Sequence, residues 1–465
     1  MAKDYSIEMS YRKSSELNRV AFILLFFIMN IFILTINRTG DISITLSFFT
    51  NLLFITVFSS LHIFSKKISL FDSVFLVFFY TFFWLAPVLQ TKNGVYPNAM
   101  PVEARLVFLT NLYLLLFGVC YFFFKSFVKL RLETNFKKDK YYLLNKSTYT
   151  AIFIVTLIIL GLFYRYLISN MVSVNKTGLE LESSLYLILN TFLFSFPVYL
   201  AYHSALSLKK KSGSVLAFVI SLLVLLLFKN PFFVKRNALG PIYLTLLFIF
   251  FKEHSNNFVT FIILILVLSI LFPFSQAFTH NSSLVLGDIF ETFVNRMKTL
   301  DVRYALTSID YDAWPNFMAA IKYSEIDGVT HGRQLVGVLL FWMPRSVWPN
   351  KPIGSGALVA ENMLMTTYSF WFANISMSFP AEGYINFGII GVVLFAFILS
   401  LLSKITDNWY RYNDLRLFFS LYVCFHMIFM LRGDLMSSFA YLVGNLMAIF
   451  FVPLALDMLM SRFSK

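Results

Sequence analysis

The basic residues that could do chemistry are those placed where a membrane chain seldom puts them. Arg333, Arg345 and Lys351 stand in one polar segment late in the chain, and Arg432 follows an apolar run directly, in Leu431-Arg432-Gly433-Asp434. Lys235 and Arg236, with Lys229 before them, lie in a short connection between two apolar runs. Arg296, Lys298 and Arg303 belong to the same polar segment as Arg333. A charge held near lipid costs roughly 2.5–3.5 kcal/mol at mid-depth, so it pairs, snorkels or binds something charged. The planar fork of arginine matches phosphate oxygens two at a time. The set reads as a holder for an anionic ligand, with pairing to local acids such as Asp434 as the alternative.

Two groups near these cations could take a proton. Glu382 opens an apolar run, where a carboxylate complements a helix dipole and where removal from water makes it a better base. His331, two positions before Arg333, is the alternative, since histidine exchanges protons near neutral pH. Trp342, Trp348 and Trp371 could anchor at a membrane interface. No metal site is expected. His62, His203, His254, His280, His331 and His426 show no ligand spacing, and Cys120 and Cys424 both sit in apolar runs. The chain contains no GxxxxGK[ST], GxSxG or HExxH motif.

Composition says what must hold these residues. Of 465 residues, 58% are apolar and 13% charged, and mean hydropathy is +0.73. Soluble domains carry about 25% charged residues. A soluble enzyme and a disordered chain are both excluded, and most of the chain must be solvated by lipid. A span needs about 20 apolar residues. The runs 20–36, 42–64, 70–89, 105–124, 150–168, 184–206, 214–228, 238–251, 258–274, 386–402, 417–431 and 437–460 predict an all-α polytopic protein of about twelve transmembrane helices. The pair 214–228 and 238–251 is short, with uncertain ends, and could be one broken hairpin around Pro231. The first run, which no cleavage site follows, reads as a retained anchor.

Charge then sets the orientation. Lys and Arg concentrate in the N-terminal tail, in 125–146, at Lys209, Lys210 and Lys211, around Arg411, and at Arg462 and Lys465. These alternate segments are expected to be cytoplasmic, with both termini inside. The net charge of +14 is thereby explained by topology, and no nucleic-acid partner is needed. The chain divides into nine N-terminal spans (1–274), one extracytoplasmic loop (275–385) and three C-terminal spans (386–465). A loop of that length is expected to be functional. Asp312 and Pro315 predict a helix start running to about Tyr323. Gln334–Met343 is too short to span and should lie at the interface or re-enter the membrane before Pro344 breaks it. The prolines of 344–352 predict a rigid loop that fixes Arg345 and Lys351.

These motifs carry a resemblance. Pro-Arg-x-x-Trp-Pro-x-Lys-Pro at 344–352, the acidic turn with Tyr-x-Asn-Phe-Gly at 382–388, Gly332-Arg333, Arg432-Gly433-Asp434 and Leu85-Ala86-Pro87-Val88-Leu89-Gln90 resemble the Wzy-type O-antigen polymerases, the oligosaccharide repeat-unit polymerases. The motif match is specific over 331–434 and extends to the whole chain in organisation. The resemblance implies a bacterial plasma (inner) membrane glycosyltransferase that resembles other lipid-dependent multi-span glycosyltransferases and needs no cofactor. A growing glycan on undecaprenyl diphosphate would pass to a new lipid-linked repeat unit at the outer face. Arg333, Arg345, Lys351 and Arg432, assisted by Arg236 or Lys235, would grip the diphosphate. Glu382 or His331 would serve as base, and Trp342, Trp348 and Trp371 could stack on sugar faces. A chain-length regulator is an expected partner. The rivals are an O-antigen ligase and a polysaccharide flippase. Without repeated halves, and with its charges at the outer ends, the chain fits a transporter poorly.

Overall fold

The computed structural model describes residues 2–128, 145–172, 183–231, 236–272 and 301–463, with single positions between 291 and 298. Side chains are described over the same ranges except at 2–15, 168–186, 236, 271 and 461–463. Regular structure among these residues is helical, apart from one isolated bridge between Val95 and Pro101. The helices are α1 Ala2–Ile36, α2 Ile42–Phe64, α3 Leu70–Thr91, α4 Ala104–Phe127, α5 Lys146–Val172, α6 Ser183–Thr191, α7 Phe196–Lys209, α8 Val215–Phe228, α9 Arg236–Phe251, α10 Asn257–Ile270, α11 Ala313–Asp327, α12 Arg333–Leu339, α13 Phe379–Trp409, α14 Leu415–Arg432 and α15 Leu435–Met460.

Eight of these, α1 to α5 and α13 to α15, are long and apolar enough to cross a membrane. Among the described residues these eight coincide with eight of the twelve expected runs, and the other four are not seen at that length. The run 184–206 is interrupted at Phe192–Ser195, because Pro197 lacks an amide N–H and its ring excludes a straight helix through the preceding turn. Helices α8, α9 and α10 are apolar but shorter. The helix expected from Asp312 forms as α11 and extends to Asp327.

Proline shapes the helices in a second way. Wide i→i+5 turns occupy Thr81–Leu85, Val267–Leu271 and Met447–Phe451, and each ends two residues before a proline: Pro87, Pro273 and Pro453. A proline ring collides with the carbonyl four residues back, and a widened turn moves that carbonyl aside.

The bundle is layered. The apolar windows of α3 and α14 are 89% and 83% buried, while those of α1 and α5 are 11% and 22% buried. The first two form the core and the latter two face outward. Polar groups tie the helix ends together. At one end, Lys125 of α4 lies 2.7 Å from Asp72 of α3 and 2.8 Å from Asp407 of α13.

Helix α13 is two helices joined by a sharp bend at Phe387 and Gly388, the latter at φ +60°. The short piece folds back so far that a Cβ on Gly391 would meet the Gly383 carbonyl oxygen. Only glycine at both positions lets the two backbones touch. Glu382 thus lies on the short piece, before the bend, and the long piece begins close to the expected 386.

Gly391→Ala should therefore lower stability by about 1–3 kcal/mol, through forced separation of the two pieces. Gly161→Ala, with open space around it, should stay within about 0.5 kcal/mol of wild type. Thermal unfolding in detergent checks both, and equal behaviour of the two variants would refute the close approach.

Candidate functional site

Arg432 closes α14 and reaches across to the segment before α11. Its Nε donates to the Asp310 carbonyl at 2.7 Å, and its Nη2 donates to the Ile309 carbonyl at 3.2 Å and to Asp312 Oδ1 at 3.1 Å. Asp312 also accepts from Ser376 Oγ at 2.6 Å and from Asn316 Nδ2 at 2.8 Å. Asn98 Nδ2 donates to Asn316 Oδ1 at 3.1 Å, and Gln90 Nε2 donates to the carbonyls of Leu306 and Tyr311, both at 3.0 Å. Arg432 is therefore a tie between a span and the segment before α11. Its acid partner is Asp312, not the neighbouring Asp434, because the short Gly433–Asp434 link turns Asp434 toward the start of α15.

Glu382 occupies a junction. Its Oε2 accepts from Ser355 Oγ at 2.6 Å and its Oε1 from the Leu435 amide at 2.9 Å. Asp434 accepts from the amides of Met436 at 2.9 Å and Gly356 at 3.2 Å. Two carboxylates thus meet the positive N-terminal end of α15. Burial pushes the Asp434 carboxyl above the usual carboxylate range. At Gly354 a Cβ would overlap the Asp434 carboxylate, so position 354 can lie there only as glycine. Glu382 is 1% exposed. In this conformation it holds three chain segments together and meets no solvent-borne hydroxyl.

The proline-rich segment is a closed loop. Pro344 accepts from the amides of Val347 at 3.2 Å and Trp348 at 3.0 Å. Lys351 is buried, and its ammonium donates to the carbonyls of Phe341 at 2.6 Å and Met343 at 2.9 Å. Arg345 Nη1 donates to the Lys351 carbonyl at 2.8 Å and remains exposed. The rigidity expected from the prolines is present, but Lys351 produces much of it by turning inward. An ammonium meets carbonyl oxygens there because burial without them would leave a bare charge.

The turn His331-Gly332-Arg333 rests on the bend of α13. Thr330 donates through its amide to the Ile385 carbonyl at 2.8 Å and through its hydroxyl to Asn386 Oδ1 at 3.1 Å. His331 and Gly332 adopt φ of +51° and +82°, and a Cβ on Gly332 would come within 3.0 Å of the Phe387 ring. Both His331 and Arg333 are exposed. Behind them Gly337 of α12 fits against Met436 and Pro352. One short helix therefore gathers Arg333, the Arg345 loop and the start of α15. Trp342 and Trp371 are exposed and Trp348 is half-buried.

Lys235, Arg296 and the side chain of Arg236 lie outside the described residues. Lys229 is buried and donates to the Asn190 carbonyl at 2.7 Å, and Arg303 donates to Asn37 Oδ1 at 3.0 Å. No group of three His, Cys, Asp or Glu among the described residues could hold a metal ion. Sequence reasoning missed Asp312, Asp434 and Ser355 as site-building groups. Asp312 was legible only as a helix start.

Arg432→Met and Asp312→Asn should each destabilise the protein by about 3–5 kcal/mol, since each strands a largely buried partner. The double variant should lose less than the sum, by about 1–3 kcal/mol. Additive losses in a denaturation series would break the assigned pairing.

Residues 375–462 match the family model for O-antigen polysaccharide polymerase Wzy. No curated protein and no solved structure matches the chain. The matched segment holds Glu382, Arg432 and Asp434, whereas His331, Arg333, Arg345 and Lys351 lie before it. The family match therefore falls on the part of the chain that carries the Glu382–Asp434 junction, and the eight long apolar helices among the described residues make the chain a multi-pass membrane protein.

Proposed function

We propose that the chain polymerises lipid-linked oligosaccharide repeat units of a bacterial surface polysaccharide at the outer face of the inner membrane, with both of its ends in the cytoplasm. The acceptor hydroxyl of a new lipid-linked unit attacks the anomeric carbon of the growing glycan. The bond to undecaprenyl diphosphate breaks, and its electron pair leaves with the diphosphate. The observation that carries this reading is the pair of exposed arginines, Arg333 and Arg345, held on α12 and its proline loop against the matched segment. Fixed cations aimed at a leaving diphosphate stabilise the charge that develops on it. Arg432 and Lys351 support this frame from behind, through their bonds to carbonyls and to Asp312.

His331 is the better placed base, since it is exposed and two residues from Arg333, whereas Glu382 is enclosed. The proton of the acceptor hydroxyl would pass to its ring. Trp371, 76% exposed, and Trp342, 48% exposed, offer flat faces to sugar rings. Lys235 and Arg236 remain candidates to assist at the diphosphate. A chain-length regulator would act on the same assembly.

Cells lacking the gene, complemented at matched membrane levels, test the proposal. Wild type should restore a polymer ladder, while Arg345→Ala and Arg333→Ala should each cut polymerisation by about 100-fold and leave single repeat units on the surface. Surface glycan that is lost entirely, single units included, would replace this reading with that of a ligase or flippase.

A further inference from the structure

At the end of the bundle away from the Glu382–Asp434 junction, α5, α7, α8 and α15 enclose a second polar cluster. Asp457 lies roughly 33 Å along α15 from Leu435, counted at the helical rise per residue. Its side chain is 3% exposed, and Thr148 of α5 donates to its Oδ1. The other carboxylate oxygen, Oδ2, is buried with no hydrogen-bond partner among the described residues. The same is true of the Tyr199 hydroxyl and of His203 Nε2, both on α7. The His203 ring lies 4.8 Å from that of Tyr149 and 5.7 Å from that of Tyr199. Tyr149 shares a hydrogen bond of 2.9 Å with Ser221 of α8. Asp457 acts electrostatically on Tyr199, and Lys210, at the end of α7, acts on His203. No lysine or arginine among the described residues pairs with Asp457, and Lys209, nearly two turns beyond His203, pairs with Glu253 at 3.3 Å.

A carboxylate inside an apolar bundle needs a neutralising partner, and buried polar atoms need hydrogen bonds. Here one carboxylate oxygen, one hydroxyl and one imidazole nitrogen lack partners in the same cluster, beside the hydroxyls of Thr148, Tyr149 and Ser221. That donor set suits a small monovalent cation. We propose that Asp457, Tyr199 and His203 form a binding site for one monovalent cation, a proton or a sodium ion, separate from the proposed glycan-transfer site. Proton uptake places the hydrogen on Asp457 Oδ2, from which it can donate to Tyr199 or, through water, to His203. Sodium would be held by Asp457 Oδ2 and the Tyr199 and Thr148 oxygens.

The test is the thermal midpoint of the purified full-length protein in nanodiscs. One series replaces choline chloride by sodium chloride at constant ionic strength. A second runs from about pH 5 to 8 without sodium. A sodium site raises the midpoint with sodium. A proton site lowers it as pH rises, because the folded state then binds the proton more tightly than the unfolded chain. Either response should disappear in Asp457→Asn and weaken about tenfold in apparent affinity in Tyr199→Phe. His203→Gln, which leaves the carboxylate in place, serves if Asp457→Asn does not fold. A wild type that answers to neither ion, or that answers as its variants do, overturns the proposal. The readout does not involve glycan transfer, so this inference can fail while the proposed function stands.

Discussion

A guanidinium at the end of a span must find oxygens, and where Arg432 finds them decides how the segment before α11 sits on the bundle. Its bonds to the Ile309 and Asp310 carbonyls and to Asp312 bring together residues far apart in the chain. Asp312 then fixes Ser376 and Asn316, and Asn98 and Gln90 hold the same segment from the side of α3. In lipid the alternative to such pairing is a bare charge, so the network has few other ways to close. The placing of Gly354–Gly356 and the start of α15 follow from it, since Asp434 and Leu435 stand two and three residues after Arg432.

The other end of the bundle is tied by the same physics with the signs exchanged. There one cation, Lys125, serves two carboxylates from helices distant in sequence, and Ser69 and Tyr121 complete their hydrogen bonds. Helix α13 runs between the two ties. Its bend at Phe387–Gly388 lies where the His331 turn rests, so the bend is placed beside the exposed Arg333.

Much of this frame was legible in the sequence. Apolar runs give the helices directly, because in lipid the backbone can satisfy itself only within a helix or a closed barrel. The prolines announced the loop at 344–352, and Asp312 announced α11. The roles of the charges were less legible. From sequence, Lys351 and Arg345 look alike, yet one is enclosed by carbonyls and the other is exposed. Which of two nearby cations turns inward depends on where α12 ends, and no local pattern encodes it. Glu382 was read as a helix-start carboxylate and candidate base, but its partners Ser355 and Leu435 come from separate segments. Pairings such as Arg432 with Asp312 join positions 120 apart, beyond any periodicity.

The wide turns ahead of Pro87, Pro273 and Pro453 bear on how such a chain can change over time. Each inserts one residue beyond the regular helical count, and a single extra residue rotates everything downstream by about 100°. The stripe that faces the core therefore changes phase partway through α3, α10 and α15. A one-residue deletion within Thr81–Leu85 would turn the end of α3, with Gln90 and Thr91, toward different neighbours. Substitution at these places is governed by size, but insertion and deletion are governed by angle, and the proline two residues on marks where that angular constraint applies.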